Sequence, residues 1–171
     1  MSTLLIWRPV LIEPFAGERS DLLELYRAAD DSEASISSYI DLGDVMVARR
    51  GRKVLGHVQL VWSYVVCEIK SLAVRDGERR RGIGSTLVQA ALDHAFASGA
   101  VCVRVATAAA DIRILGFYQR LGFRMDWVER DVFTVDRGYP PVTAEGIPLR
   151  DRVWFSMEPA ERLFEPTRPA G

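Results

Sequence analysis

Apolar positions recur along this chain with two spacings. Ile83, Leu87, Val88, Ala91, Leu92 and Ala95 follow three- and four-residue steps, which places them on one face of a helix. That helix opens at Gly82 and stops at Ser98-Gly99, since glycine takes the left-handed backbone that follows a last turn. Cys67 to Val74 reads as the strand before it, and Arg75 to Arg81 as a basic turn. Val58, Leu60 and Trp62 alternate with Gln59 and Val61 in a weak period of two. Val45–Ala48 and Val54–Val66 therefore read as strands, joined by the basic turn Arg49–Lys53 with its Gly51.

The remaining segments follow from the same patterns. Leu4 to Val10 predicts a first strand, closed by Pro9 and Pro14. Ser20 is placed to cap a helix whose stripe is Leu22, Leu25, Tyr26 and Ala29. Asp30-Asp31-Ser32 breaks it, and Ile36, Tyr39 and Ile40 mark a second short helix. Val101–Ala106 is a β-branched run after a helix, expected to lie parallel to the Cys67–Val74 strand through a right-handed crossover. Ala108–Leu121 predicts a helix stopped at Gly122, and Phe123–Val135 a long strand. Gly138–Pro148 reads as a Gly- and Pro-dense loop, Arg150–Met157 as a last strand, and the chain from Pro159 as a loose tail. The order predicts a mixed α/β domain over residues 1–158, with 159–171 outside it.

Composition narrows this only a little. A chain of 171 residues supports one sizeable core. The net charge of −1 supplies no global field for nucleic acid. No apolar run reaches the roughly 20 residues that span a bilayer. Leu4-Leu5-Ile6 is cut short by Arg8-Pro9, which is not a secretion pattern. Cys67 and Cys102 fall in predicted strands and read as small buried hydrophobes in a reducing cytosol. No His/Cys cluster has metal-ligand spacing, so no metal is expected. His57, in a strand, and His94, on the main helix, read as packing or surface residues.

The start of the Gly82 helix changes the picture more. The first backbone N–H groups of a helix have no internal partners, and the aligned peptide dipoles add partial positive charge there. Gly82 and Gly84 leave that end open. Arg79, Arg80 and Arg81 precede it, and Ser85 and Thr86 add hydroxyls. Such an end suits a phosphate or pyrophosphate. No Gly-x-x-x-x-Gly-Lys-Ser/Thr string is present, and Leu87 stands where a dinucleotide fingerprint needs its third glycine.

Arg79-Arg80-Arg81-Gly82-Ile83-Gly84 resembles the Gln/Arg-x-x-Gly-x-Gly/Ala signature of the GNAT superfamily of N-acetyltransferases, which cradles the pyrophosphate of acetyl-CoA. Leu72-Ala73-Val74 before it and Ile114–Phe123 after it look like two further parts of that family, in the same order. The resemblance covers residues 4–135 and is specific in 68–99 and 111–123. It implies a twisted mixed sheet of about seven strands with helices on both faces. Its two middle parallel strands, here 67–74 and 101–106, would splay into a V that admits the pantetheine arm.

The resemblance also assigns roles. Transfer of acetyl from a thioester to an amine needs a deprotonated amine, a donor for the oxyanion and a stabilised leaving thiolate. Unpaired amides at Leu72, Ala73 and Val74 would bind pantetheine and polarise the carbonyl. Tyr118, beside Phe117, falls on the family's general acid, and Glu68 on the carboxylate that takes the amine proton. Asp111 stands where many relatives carry an Asn that contacts pantetheine; an ionised Asp accepts but does not donate. The acceptor would meet Asp30, Asp31, Glu33, Asp41, Trp62, Tyr64 and the Tyr139 loop. Carboxylates and aromatics suit a small cationic amine such as an amino acid derivative, a polyamine or an amine-bearing antibiotic; the same acids also suit a solvated helix face. The expectation is a cytoplasmic monomer or homodimer, with acetylation of a protein or peptide, or CoA binding without turnover, as the alternatives.

Overall fold

The computed structural model describes residues 9–161. β2 (Asp44–Arg50) and β3 (Lys53–Ser63) show how the sequence builds two cores. Val45 and Val47 face one side of the sheet and Ala48 the other, while Val58 and Leu60 alternate with the buried His57 and Gln59. Both faces are therefore covered, which is why the alternation of apolar and polar residues is weak.

Seven strands form one sheet in the order β1-β2-β3-β4-β5-β9-β6. β1 is Leu11–Pro14, β4 Val66–Val74, β5 Cys102–Ala108, β6 Arg124–Glu129 and β9 Arg152–Met157. β4 and β5 pair parallel; the other neighbours are antiparallel. α3 (Ile83–Ala97) and α4 (Ile112–Arg120) lie between strands in sequence. Ile83, Leu87, Val88, Ala91, Leu92 and Ala95 of α3 pack into the larger core with Val103, Val105, Phe155 and Tyr118. α1 (Leu23–Ala29) and α2 (Glu33–Tyr39) cover the opposite face with a smaller core of Leu22, Leu25, Tyr26, Ile36 and Tyr39.

One irregularity organises the centre. Ser71 pairs with Gln59 but Ile69 with Leu60, so Lys70 is an extra residue in β4. Such a bulge bends and twists its strand, and it exchanges the faces. Cys67 and Ile69 join the α3 core, whereas beyond Lys70 it is Leu72 and Val74 that pack on that side, and Ala73 joins the α1–α2 core.

Several expected boundaries move. The first strand is Leu11–Pro14; residues 4–8 of the expected Leu4–Val10 strand lie outside the described ones, as does the tail past Glu161. Pro14 is tolerated because β1 is an edge strand. Ser20 sits inside a 3-10 turn, Arg19–Leu22, and caps no helix. Tyr64, at φ 54°, turns the chain between β3 and β4. The expected strand Phe123–Val135 ends at Glu129, since Asp131 takes a left-handed backbone at φ 54°. Its amide is bound by the Asp151 carboxylate at 3.0 Å. The Gly138–Pro148 loop contains a small hairpin, β7 (Thr143–Ala144) and β8 (Ile147–Pro148). Glu145 and Gly146 both have positive φ there, 52° and 80°, the requirement of a tight two-residue hairpin turn.

Candidate active site

β4 and β5 pair only from Val66↔Cys102 to Ile69↔Val105. β4 then runs on to Val74 and β5 to Ala108 without pairing with each other, so the two strands part at the Lys70 bulge. The Arg75 amide donates to the Leu55 carbonyl at 2.8 Å. Backbone groups alternate sides along a strand, so Ala73 also faces β3 while Leu72 and Val74 turn their amides into the gap. The Val74 carbonyl, on the gap side, accepts from Arg79 Nε at 2.9 Å. Of the expected trio Leu72, Ala73 and Val74, the geometry thus turns two amides toward the cleft.

The start of α3 closes one end of this gap. Gly82 has φ 81°, and a Cβ built on it would meet nothing within 4 Å. A Cβ on Gly84 would lie 3.6 Å from Phe117 and 3.7 Å from Val74, so α3, α4 and the end of β4 converge at Gly84. Ile83 is buried, which leaves its backbone as the part facing outward. The Thr86 hydroxyl donates to the Gly82 carbonyl at 3.0 Å, so its proton is engaged within the helix. The three arginines have different partners. Arg79 pairs with Asp76 at 3.0 Å and Arg81 with Glu78 at 3.5 Å, whereas Arg80 is exposed and has no ion-pair partner among the described residues. Glu78, almost buried, also meets Arg50 at 3.2 Å and Lys53 at 3.8 Å, tying the basic turn to the β2–β3 hairpin.

On the face opposite α3, a cavity of about 170 Å³ is lined by Glu68, Val66, Trp62, Arg104, Trp127 and Trp154, among others. Glu68 pairs with Lys70 at 3.1 Å, and the Lys70 ammonium lies 5.4 Å from the centre of the Tyr39 ring. Trp127 and Trp154 stack at 5.0 Å and 15°, and the Arg104 guanidinium lies over Trp127 at 5.1 Å. Trp154 Nε1 donates to Glu129 at 3.1 Å.

The parting strands thus have the open start of α3 on one side and a cavity bearing Glu68 on the other. The model of the Acetyltransferase (GNAT) family matches residues 9–123. The chain belongs to the GNAT family. It is 30% identical over 140 residues to the uncharacterized N-acetyltransferase YvbK of Bacillus subtilis (strain 168), covering 81% of this chain and 89% of that protein. The structure of the IAA acetyltransferase from Bacillus cereus ATCC 14579 superposes with a TM-score of 0.80 at 28% identity, covering 88% and 99% of the two chains. A GNAT family acetyltransferase from Elizabethkingia anophelis with acetyl-CoA bound gives 0.81 at 25% identity, covering 87% and 97%.

In this GNAT acetyltransferase Tyr118 is buried against Phe117, Phe123 and Phe155, at ring separations of 5.1, 5.6 and 5.9 Å. Burial alone pushes its phenol well above the ordinary value, so it stays protonated. Asp111 caps α4, accepting from the Ile114 amide at 3.1 Å. Burial, then the charges of Asp44 and Glu68, push the Cys67 thiol up to about 12, in keeping with a protonated, buried side chain.

The acids expected around the acceptor have local duties instead. Asp30 accepts from the Ser32 amide at 2.9 Å and the Ser35 hydroxyl at 2.7 Å, and Glu33 pairs with Arg27 at 2.6 Å. Neither they nor Asp31 and Asp41 line the Glu68 cavity. Tyr64 is 99% exposed on its turn, and Tyr139 packs edge-on to Phe133 at 5.0 Å. A larger cavity of about 410 Å³ lies within the 131–150 segment and holds none of the residues assigned to chemistry. Arg104, Trp127 and Trp154 were missed by the sequence reading. The signal was present for Arg104 alone, a single charge in the run Val101–Ala106.

Beneath α1 and α2 lies a second polar group. The Gln59 amide donates to the Tyr39 and Leu42 carbonyls at 2.8 and 2.6 Å, which fixes the end of α2 to β3. His57 Nε2 lies 2.8 Å from the Ser71 hydroxyl, and Tyr26 packs on its ring at 4.5 Å. Burial, then the nearby Arg19, lowers the His57 pKa to about 3.

Proposed function

We propose that this acetyltransferase moves the acetyl group of acetyl-CoA to a primary amine of a small molecule, by direct attack with both bound. The observation that carries the reading is the parting of β4 from β5 after Ile69, with open helix amides on one side and the Glu68 cavity on the other. The residues fit the cosubstrate. Gly82 offers space that any side chain would fill, and the α3 amides with Arg80 suit its pyrophosphate. The Leu72 and Val74 amides suit its pantetheine arm and thioester oxygen. Acetyl-CoA supplies the activated acyl group.

The chain's own residues handle protons. Glu68 accepts one from the amine as the C–N bond forms. Tyr118, kept protonated by burial, donates one toward the sulfur as the C–S bond breaks. The cavity of about 170 Å³ favours a small acceptor, since pockets for drug-sized ligands run to roughly 300–1,000 Å³. A thiol-release screen over small primary amines, run beside acetyl incorporation into a peptide library, tests the reading. Release with small amines and no peptide labelling is expected. Labelling of peptides alone would move the acceptor to a polypeptide, and CoA binding without either would leave a binding module.

A further inference from the structure

Arg104 is a charge placed in the middle of a sheet. Its neighbours Val103 and Val105 are buried in the α3 core, so Arg104 projects from the other face, into the cavity. Glu68 is its register partner on β4. That carboxylate nevertheless goes to Lys70. No salt bridge or hydrogen bond joins Arg104 to an acid among the described residues, and its Nε is buried with no hydrogen-bond partner. The guanidinium is held over Trp127, which is itself stacked on Trp154. A guanidinium is a planar fork that matches a carboxylate with two parallel hydrogen bonds.

We infer that the acceptor carries a carboxylate beside its amine, and that Arg104 binds that carboxylate while Glu68 faces the amine. The inference rests on the acetyl-transfer reading above and names its substrate class: amino acids with a free carboxyl group. Three features support it. Among the described residues Glu68 is the sole acid lining the cavity, and it already has a cation, so the unbalanced charge there is positive. Adjacent strands lie about 4.8 Å apart, so groups at Glu68 and Arg104 are neighbours, as amine and carboxylate are in an α- or β-amino acid. The Trp127–Trp154 pair offers an apolar surface for the rest of the molecule.

The test compares the free acids and primary amides of L-methionine, L-phenylalanine and L-tryptophan as acceptors. The amides have the less basic amine, so amine chemistry alone favours them at neutral pH. The inference expects kcat/KM at least tenfold higher for the acids, and a ratio of one or below in Arg104→Met. Arg104→Lys, which keeps the charge but not the fork, is expected between the two. A parent ratio of one or below, or the same ratio in Arg104→Met, overturns it, because a purely structural Arg104 would lower both rates together. Titration of the protein's tryptophan fluorescence with L-methionine and L-phenylalanine separates the two readings. Thiol release without an acid preference contradicts the Arg104 site and leaves acetyl transfer standing. Saturable, Arg104-dependent binding of the acids without thiol release supports the carboxylate site and contradicts acetyl transfer to them.

Discussion

His57 has no exposed surface and titrates far below a free imidazole, so it ties stability to pH. An unfolded histidine binds a proton below about 6.5, whereas His57 in the fold does so only near 3. Between those values the unfolded state holds the extra proton, so its neutral form contributes stability that is full above 6.5 and is lost as pH falls toward 3. The slope from this group alone approaches about 1.4 kcal/mol per pH unit. Denaturant unfolding from pH 7 to 4.5 should show it, and His57→Gln should give a flatter profile from a lower starting stability. Equal slopes would mean that His57 does not govern the acid limb. Tyr118 answers to turnover instead. Tyr118→Phe keeps the ring among Phe117, Phe123 and Phe155 and removes the proton. Turnover should fall by roughly 10²–10⁴-fold while CoA affinity holds; undiminished kcat would leave Tyr118 an aromatic core residue.

Among the elements, α3 was the most legible. Its six apolar positions all lie in the core, and Gly99 has the positive φ expected of the stop, 93°; the left-handed backbone of Gly82, φ 81°, was not foreseen. Gly82→Ala should therefore cost about 1–2 kcal/mol of stability through backbone strain, with no steric term because nothing lies near the new methyl; chemical denaturation measures it, and an unchanged midpoint would contradict the αL cap. β4 shows what was hidden. Cys67, Ile69, Ser71 and Ala73 are buried in unbroken alternation, although Lys70 exchanges the two faces. Both faces carry a core, so hydrophobic pattern cannot register the bulge that parts β4 from β5. The Trp127–Trp154 stack was equally out of reach, because it depends on the register of β6 with β9, strands separated by a long segment. The acids around α1 and α2 misled for a different reason: composition counts charges but not their hydrogen bonds, and Asp30 and Glu33 are absorbed locally.

At the scale of the molecule, one sheet separates two kinds of site. On the reading proposed above, the α3 side offers backbone amides and guanidinium groups to an anion, and the other side offers Glu68, Arg104 and paired indoles to an acceptor. The protein's net charge of −1 gives no long-range attraction, so recognition has to come from these local groups. Membership of the GNAT family agrees with the matched segment, residues 9–123, which contains β4, α3, β5 and α4 in full. A ligand that bridges these elements should also stabilise the whole fold, by about 2.7 kcal/mol at a hundredfold excess over its Kd.

Isothermal titration of the purified protein with CoA addresses that cleft without requiring the acceptor to be known. One saturable site is expected for the parent, with at least tenfold weaker binding in Gly82→Asp, which places bulk and negative charge at the open helix start. Absence of heat and saturation in the parent, or unchanged affinity in Gly82→Asp, would contradict the account.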